Sequence, residues 1–167
     1  MKKLFVILCI ISIAMACKPE DKYPIIPRIQ MVSLDKIANE YGYDYKANLT
    51  FYFEDGDGDI GLDNTTEDLQ PPFDTASIYH YNFFIHYFEK QNGTFVKVDL
   101  PAEQNARIPR LSNNTPESID GDITVEIFIN NIVSTYDTVK FEFYIVDRAL
   151  HHSNIVSTPE IIIDKAK

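Results

Sequence analysis

Apolar and polar residues alternate with a period of two along three long stretches of this chain, and this alternation restricts the fold more than any other feature. In the clearest stretch, isoleucine or valine occupies every odd position of residues 123–129. The same period runs through residues 49–54 and 139–145. Because successive side chains of a strand point to opposite faces of a sheet, each stretch predicts an antiparallel strand with one buried face. The predicted core includes Phe51, Ile127, Phe143 and Ile145.

Four more strands are predicted from short runs rich in β-branched and aromatic residues. They cover residues 28–34, 79–89, 94–99 and 155–163. Asn92-Gly93 supplies the positive φ that a tight hairpin turn requires. Seven strands joined by polar loops predict an all-β fold, an immunoglobulin-like or fibronectin-like antiparallel β-sandwich. The one helix that we expect is a turn or two within residues 34–41.

The first 16 residues have the order of a secretory signal peptide, with Lys2 and Lys3, an apolar run and then small residues before Cys17. The apolar run is too short to span a hydrocarbon core of about 30 Å, so it indicates a signal that is removed. Ala14-Met15-Ala16 before Cys17 resembles the lipobox of bacterial lipoproteins. That resemblance implies that the Cys17 thiol is lipidated and that Cys17 is the mature N-terminus. The alternative is an ordinary signal peptide followed by a chance cysteine.

The segment after Cys17 is charged and rich in proline, which favours an extended tether. The predicted organisation is therefore a signal peptide at 1–16, a lipidated cysteine and tether at 17–27, and one sandwich domain at 28–167. Glu20-Asp21, close behind the cysteine, resembles the surface-export signal of lipoproteins in the Bacteroidota. This resemblance implies a lipid-anchored protein of the outer membrane that is displayed at the cell surface.

Cysteine usage and charge exclude several classes of function. Cys9 leaves with the signal peptide and Cys17 would carry lipid, so no thiol remains for a disulfide, a cysteine nucleophile or a zinc finger. The chain has 15 basic and 25 acidic residues, and loss of Lys2 and Lys3 leaves 13 against 25, a formal net charge of −12. This charge argues against a nucleic-acid partner and leaves the acyl chains of Cys17 as the membrane attachment.

An acidic, glycine-rich turn follows the strand at residues 49–54. It reads Asp55-Gly56-Asp57-Gly58-Asp59-Ile60-Gly61. Calcium takes six to eight oxygen ligands, and glycines let a backbone curl tightly enough to present alternate carboxylates. The turn is not an EF-hand, because Ile60 stands at position six and Thr66 at position twelve. Two interpretations remain open: a Ca²⁺ site of another type, or a solvated acidic turn.

The topology of a seven-strand sandwich extends the candidate metal site. Loops 55–78, 100–122 and 147–154 are expected at one end of the sandwich. They would bring Asp120 and Asp147 to the same end as the acidic turn. The predicted calcium ligands are therefore Asp55, Asp57, Asp59, Asp147 and Asp120.

Two motifs carry a resemblance to a known group of proteins. FYFEDGDGDIGL at residues 51–62 and FYIVDRALHHSN at 143–154 are similar to segments of Bacteroidota surface lipoproteins with a single Ig-like domain. The resemblance implies a cellular location and a fold, and it implies no activity.

Histidines near carboxylates raise the alternative of catalysis. His152 lies close in sequence to Asp147, yet the chain has neither a G-x-S-x-G nucleophile elbow nor an H-E-x-x-H helix. His80 and His86 share one face of the predicted third strand, but six strand residues span about 20 Å, which is too far for one metal. We therefore expect no enzymatic activity.

Residues 79–88 are aromatic on both faces of their predicted strand. They form either a contact surface or rings covered by the second sheet and loops. The sequence as a whole predicts a lipid-anchored, non-enzymatic binding or structural module of the cell envelope, with a calcium ion as a stabilising ligand. The expected partner is a glycan or a protein. One alternative is a glycan- or peptide-binding accessory protein of a nutrient-uptake system. Another is a hydrolase that uses Asp147 and His152.

Overall fold

The computed structural model describes residues 23–100, 104–113 and 116–165. The predicted signal peptide, Cys17 and the first part of the predicted tether lie outside these residues. Within them no helix has the length and apolar character needed to cross a membrane.

The described residues form eight β-strands and two single-turn 3₁₀ helices. The strands are β1 (Arg28–Ala38), β2 (Asp44–Asp55), β3 (Phe83–Gln91), β4 (Thr94–Val98), β5 (Ile119–Phe128), β6 (Thr138–Ile145), β7 (Val156–Ser157) and β8 (Ile161–Ile162). The 3₁₀ turns, Glu67–Leu69 and Ile78–His80, both lie in the long connection between β2 and β3.

The strands form two antiparallel sheets. The first has the order β1-β2-β5, and the second has the order β4-β3-β6-β7, with β8 also paired to β6. The chain passes from one sheet to the other between β2 and β3, between β4 and β5, and between β5 and β6. The predicted all-β sandwich is confirmed.

The core lies between the inward faces of the two sheets. β6 throughout, and β2 from Ala47 onward, alternate strictly between buried and half-buried residues, as their period of two predicts. At the centre, the Phe51 ring lies 5.8 Å from that of Phe83 and 5.4 Å from that of Phe143. The predicted core residues Phe51, Ile127, Phe143 and Ile145 are at most 1% exposed, so this prediction is confirmed.

Three elements differ from their predictions. Residues 34–38 continue β1 instead of forming a helix, because they pair with β2, as in Leu34 opposite Leu49. The third strand begins at Phe83, because the segment before it turns as a 3₁₀ helix capped by the Ser77 side chain. The predicted last strand is divided into β7 and β8, and Pro159 lies between them, where it cannot donate a ladder hydrogen bond.

Candidate metal centre

The candidate site begins at Asp55, the last residue of β2. The alternation of β2 directs Asp55 to the same inward face as Phe51 and Phe53. Asp55 is 0% exposed, and its carboxylate oxygens have no hydrogen bond of ordinary geometry, only a weak contact with the Asp59 amide. A buried carboxylate without a partner is energetically costly, so it is either protonated or neutralised by a cation.

Two further carboxylates converge on Asp55. Asp55, Asp57 and Asp59 each present an oxygen within 4.8 Å of those of the other two. Oδ1 of Asp57 and Oδ1 of Asp59 are also buried and accept no hydrogen bond. The second oxygen of Asp59 accepts a bond from the Ala149 amide at 3.1 Å. The three residues predicted from the acidic turn therefore do come together, and their free oxygens can ligate a hard cation.

The surroundings of Asp55 and Asp59 raise the pKa of both carboxyls when no cation is bound. Burial, together with the charges of Asp57, Asp59 and Asp147, raises the pKa of Asp55 to about 7. Burial, together with the charges of Asp147 and Asp57, raises the pKa of Asp59 to about 6. A divalent cation would remove the repulsion between these groups and displace their protons.

Asp147 lies beside the cluster and is held by His151. It is 3% exposed, and its oxygens accept bonds from the backbone amide and the ring Nδ1 of His151 at 2.7 and 2.9 Å. Burial raises the pKa of Asp147, and the contacts with His151 offset part of that rise. The hydrogen bond to Asp147 raises the pKa of His151. Asp147 therefore adds charge to the cluster while its two oxygens are engaged elsewhere.

The structure does not bring Asp120 to the cluster. Asp120 lies within β5, opposite Glu54, and accepts a hydrogen bond from the Tyr52 hydroxyl at 2.9 Å on the outer face of the sheet. Its neighbour Ile119 is the residue opposite Asp55. The sequence interpretation placed residue 120 in a loop, and one residue of strand register puts its side chain on the other face.

The glycines of the turn have a second role that the sequence interpretation missed. A Cβ on Gly56 would lie 2.4 Å from the carbonyl oxygen of Tyr23, and one on Gly58 would lie 2.2 Å from that of Glu117. Gly58 also has a φ of +68°, which L side chains rarely adopt. The glycines therefore let two other segments lie directly against the backbone of the acidic turn.

A group of half-buried arginines around the buried Asp68, beside the cluster, was also missed. Asp68 is 0% exposed and is paired with both Arg110 and Arg148. Although burial acts in the opposite direction, these hydrogen bonds hold the pKa of Asp68 well below its usual range. Arg107 donates to the carbonyl oxygens of His80 and Asp63 at 2.6 and 2.9 Å. The group fixes the β2–β3 connection, and no local pattern signals it, because its members are far apart in the chain.

The histidines near Asp147 are arranged differently from the predicted hydrolase alternative. The partner of Asp147 is His151, whereas the ring of His152 stacks on Tyr144 at 5.4 Å. Ser153 is 8% exposed, and its hydroxyl bonds the backbone at Ile145. In the described residues, therefore, Asp147 and His152 do not form a pair next to a free serine.

The predicted aromatic contact surface at residues 79–88 is largely engaged within the domain. The Phe84 ring is 7% exposed and stacks on Tyr144 at 5.0 Å. His80 belongs to the 3₁₀ turn and His86 to β3, so the two do not share a strand.

Comparisons with known proteins return nothing for this chain. No family model, no curated protein and no solved structure matches it.

Proposed function

We propose that this chain is a lipid-anchored, non-enzymatic module of the cell envelope, whose β-sandwich is stabilised by a calcium ion at Asp55, Asp57 and Asp59. The observation that carries the proposal is the carboxylate of Asp55, which is fully buried, has no well-formed hydrogen bond and lies close to two more carboxylate oxygens without partners. The lipid anchor at Cys17 is inferred from the sequence alone.

The chemistry of the ligands favours calcium over other common ions. Three carboxylates are hard oxygen donors, and cysteine or histidine, which zinc prefers, is absent from the cluster. Calcium accepts irregular geometry with six to eight oxygens, whereas magnesium requires a strict octahedron and retains its waters. Three carboxylates on one short turn therefore suit calcium better than magnesium, with backbone carbonyls and water to complete the coordination shell.

The position of the site relative to the proposed anchor supports a structural role for the ion. The amide of Gly56 donates to the Pro24 carbonyl at 2.9 Å, so the end of the tether lies against the acidic turn. The side chain of Tyr23 also bonds the Tyr52 hydroxyl. A cation that orders the turn would therefore also order the place where the tether meets the domain.

The test is thermal unfolding of the mature chain with Cys17→Ser, measured while calcium is titrated to tens of millimolar, since extracellular modules bind in the range of about 10⁻⁴–10⁻³ M. Calcium at about 100 times Kd should add roughly 2.7 kcal/mol to the free energy of unfolding. Magnesium at equal ionic strength is the control for general screening of the acidic surface. It should add much less, because it requires a stricter geometry and keeps its waters.

Two variants make the test specific. Asp57→Asn should abolish the calcium-specific increase in melting temperature. Asp122→Asn is the matched control, since Asp122 is an exposed carboxylate of β5 outside the cluster, and it should keep that increase. Equal shifts with calcium and magnesium, or an intact calcium shift in Asp57→Asn, would show that the turn is only a solvated loop.

A further inference from the structure

The outer edge of β5 differs from the other sheet edges of the described domain. β1 carries register shifts at Met31/Ser33 and at Ile37/Ala38, β4 has five residues, and β7 has two. β5 has ten residues and pairs with β2 without any shift. Soluble proteins usually protect long edges with bulges, prolines or lysines, because a regular edge is a template for another strand. β5 contains no proline and no lysine.

The backbone of β5 has hydrogen-bonding groups available along this edge. The amide of Ile129 donates to the Tyr45 carbonyl, so the odd-numbered residues of this stretch bond β2. In an antiparallel pair the alternate residues direct N–H and C=O away from the partner strand. Asp122, Thr124 and Glu126 are such residues, and in the described chain no group bonds their outward backbone.

The charge of β5 indicates which kind of strand it can accept. Its exposed face carries Asp120, Asp122 and Glu126 and no basic residue, and the ion pair of Glu126 with Lys46 of β2 leaves this edge with a net negative charge. If two copies paired about a two-fold axis at Thr124, Asp122 of one copy would face Glu126 of the other, and like charges opposite each other are destabilising. A strand with lysine or arginine at alternate positions would instead place opposite charges across the pair.

An apolar cleft lies at the end of the same edge. Gln104 accepts a hydrogen bond from the Phe128 amide at 2.7 Å, and both residues line a cleft of about 270 Å³ together with Leu100 and Ile132. Ile132 is 85% exposed. A side chain from an incoming strand can enter this cleft. In strand addition, main-chain bonds supply affinity and such pockets supply specificity.

The loop that forms one wall of the cleft is held in place from beneath. Glu89 is 2% exposed and accepts hydrogen bonds from Asn131 and Ser134 at 2.9 and 2.8 Å. The two residues between them, Ile132 and Val133, are therefore presented to solvent by a fixed backbone. This wall is formed before any partner arrives, which lowers the ordering that binding requires.

We propose that the β5 edge binds an extended, basic segment of a partner protein as an additional strand of the first sheet. A lysine or arginine side chain of that segment faces Asp122, the next lies beside the Lys46–Glu126 ion pair, and an apolar side chain at its end enters the cleft beside Phe128. This interaction is independent of the calcium site, since none of its residues belongs to the acidic cluster.

The test uses a synthetic peptide that alternates lysine with valine and ends in leucine, added to the isotopically labelled mature chain with Cys17→Ser. Amide chemical shifts should change along β5 and in residues 129–133. A peptide with glutamate in place of lysine should bind about tenfold more weakly, because each cross-strand charge pair changes sign. A lysine peptide N-methylated at alternate amides should not bind, because it cannot form the ladder.

Three variants locate the interaction. Thr124→Pro removes an outward N–H without removing a bond to β2, and it should abolish binding. Thr124→Val loses the same hydroxyl but keeps the N–H, and it should bind like the parent chain. Asp122→Lys introduces no proline, so it tests the proposal even if Thr124→Pro fails to fold. It should reverse the preference toward the glutamate peptide.

Several results would overturn the proposal. They are shifts that map away from β5, equal binding of the N-methylated peptide, no binding of the lysine peptide, or an unchanged preference in Asp122→Lys. Self-association of the chain through β5 in sedimentation experiments would identify a second copy as the occupant and would also overturn it.

Discussion

Both carboxylate oxygens of Asp147 are held by one residue, His151, through its backbone amide at 2.7 Å and its ring Nδ1 at 2.9 Å. This pair closes the loop after β6 and places the charge of Asp147 beside Asp55 and Asp59. The pair thus links the conformation of one loop to the protonation of the acidic cluster on another.

Replacement of Asp147 should change the titration of its neighbours. Asp147→Asn removes the group that raises the pKa of His151, so the imidazole should lose its proton at lower pH than in the parent chain. Asp55 and Asp59 should also ionise at lower pH, because one repelling charge is gone. NMR titration of the histidine ring and of the carboxyl carbons measures both effects. Asp122→Asn should leave these titrations unchanged, and an unaltered His151 in Asp147→Asn would contradict the pairing.

The pH dependence of stability should reveal the raised pKa values in the cluster. Asp55 and Asp59 have folded pKa values of about 7 and about 6, against an ordinary value of 3.8. Between these limits the folded state holds protons that the unfolded state has released, so stability should fall as the pH rises from about 4 to 7. Calcium replaces those protons, so its stabilising effect should be larger at pH 8 than at pH 5. Chemical denaturation with and without calcium measures this, and Asp55→Asn should reduce both dependences. A calcium effect that is equal at the two pH values would contradict the assignment.

Truncation of a central ring should strongly destabilise the domain. Phe143 is 0% exposed and lies 5.4 Å from Phe51 and 6.0 Å from Phe83, measured between ring centroids. Phe143→Ala should lower the free energy of unfolding by about 3–5 kcal/mol. Phe128→Ala is the control, since that ring is 41% exposed and its loss should cost much less. A melting temperature of Phe143→Ala close to that of Phe128→Ala would refute the placement of Phe143 in the core.

A methyl group at Gly58 should disrupt the acidic turn. Gly58→Ala combines a φ of +68° with a Cβ 2.2 Å from the Glu117 carbonyl oxygen, so the backbone must shift. Gly93→Ala is a matched control, because Gly93 has a φ of +84° but no atom within 4 Å of the added Cβ. The control should lose about 1–2 kcal/mol from the left-handed conformation alone. Gly58→Ala should lose more in denaturant unfolding and should also lose the calcium response. Equal losses in the two variants would show that the approach of Glu117 is not close.

The lipid anchor can be tested apart from the domain. Cys17→Ser should release the protein from the membrane fraction or block its processing, because the thiol is the proposed site of acylation. Fractionation and mass spectrometry of the mature N-terminus measure both outcomes. A Cys17→Ser chain that still sediments with membranes at the mature mass would exclude lipidation at this residue.

Several features of the fold were predictable because they depend on local periodicity. The period of two at residues 49–54, 123–129 and 139–145 identified strands and their buried sides, since a pleated strand must place alternate residues on one face. The failed helix at 34–41 is the opposite case. Its apolar spacing is ambiguous, and pairing with β2 supplies hydrogen bonds that a short isolated helix could not match.

By itself, the sequence determined the alternation that makes this chain a β-sandwich and the spacing that unites Asp55, Asp57 and Asp59, because both depend on residues only a few positions apart. Only the tertiary structure decided that Asp120 lies on the opposite face, that His151 bonds Asp147, and that buried Asp55 has no well-formed hydrogen bond. These outcomes depend on strand register and on how distant loops meet, and a shift of one residue in register reverses the face of every side chain in a strand.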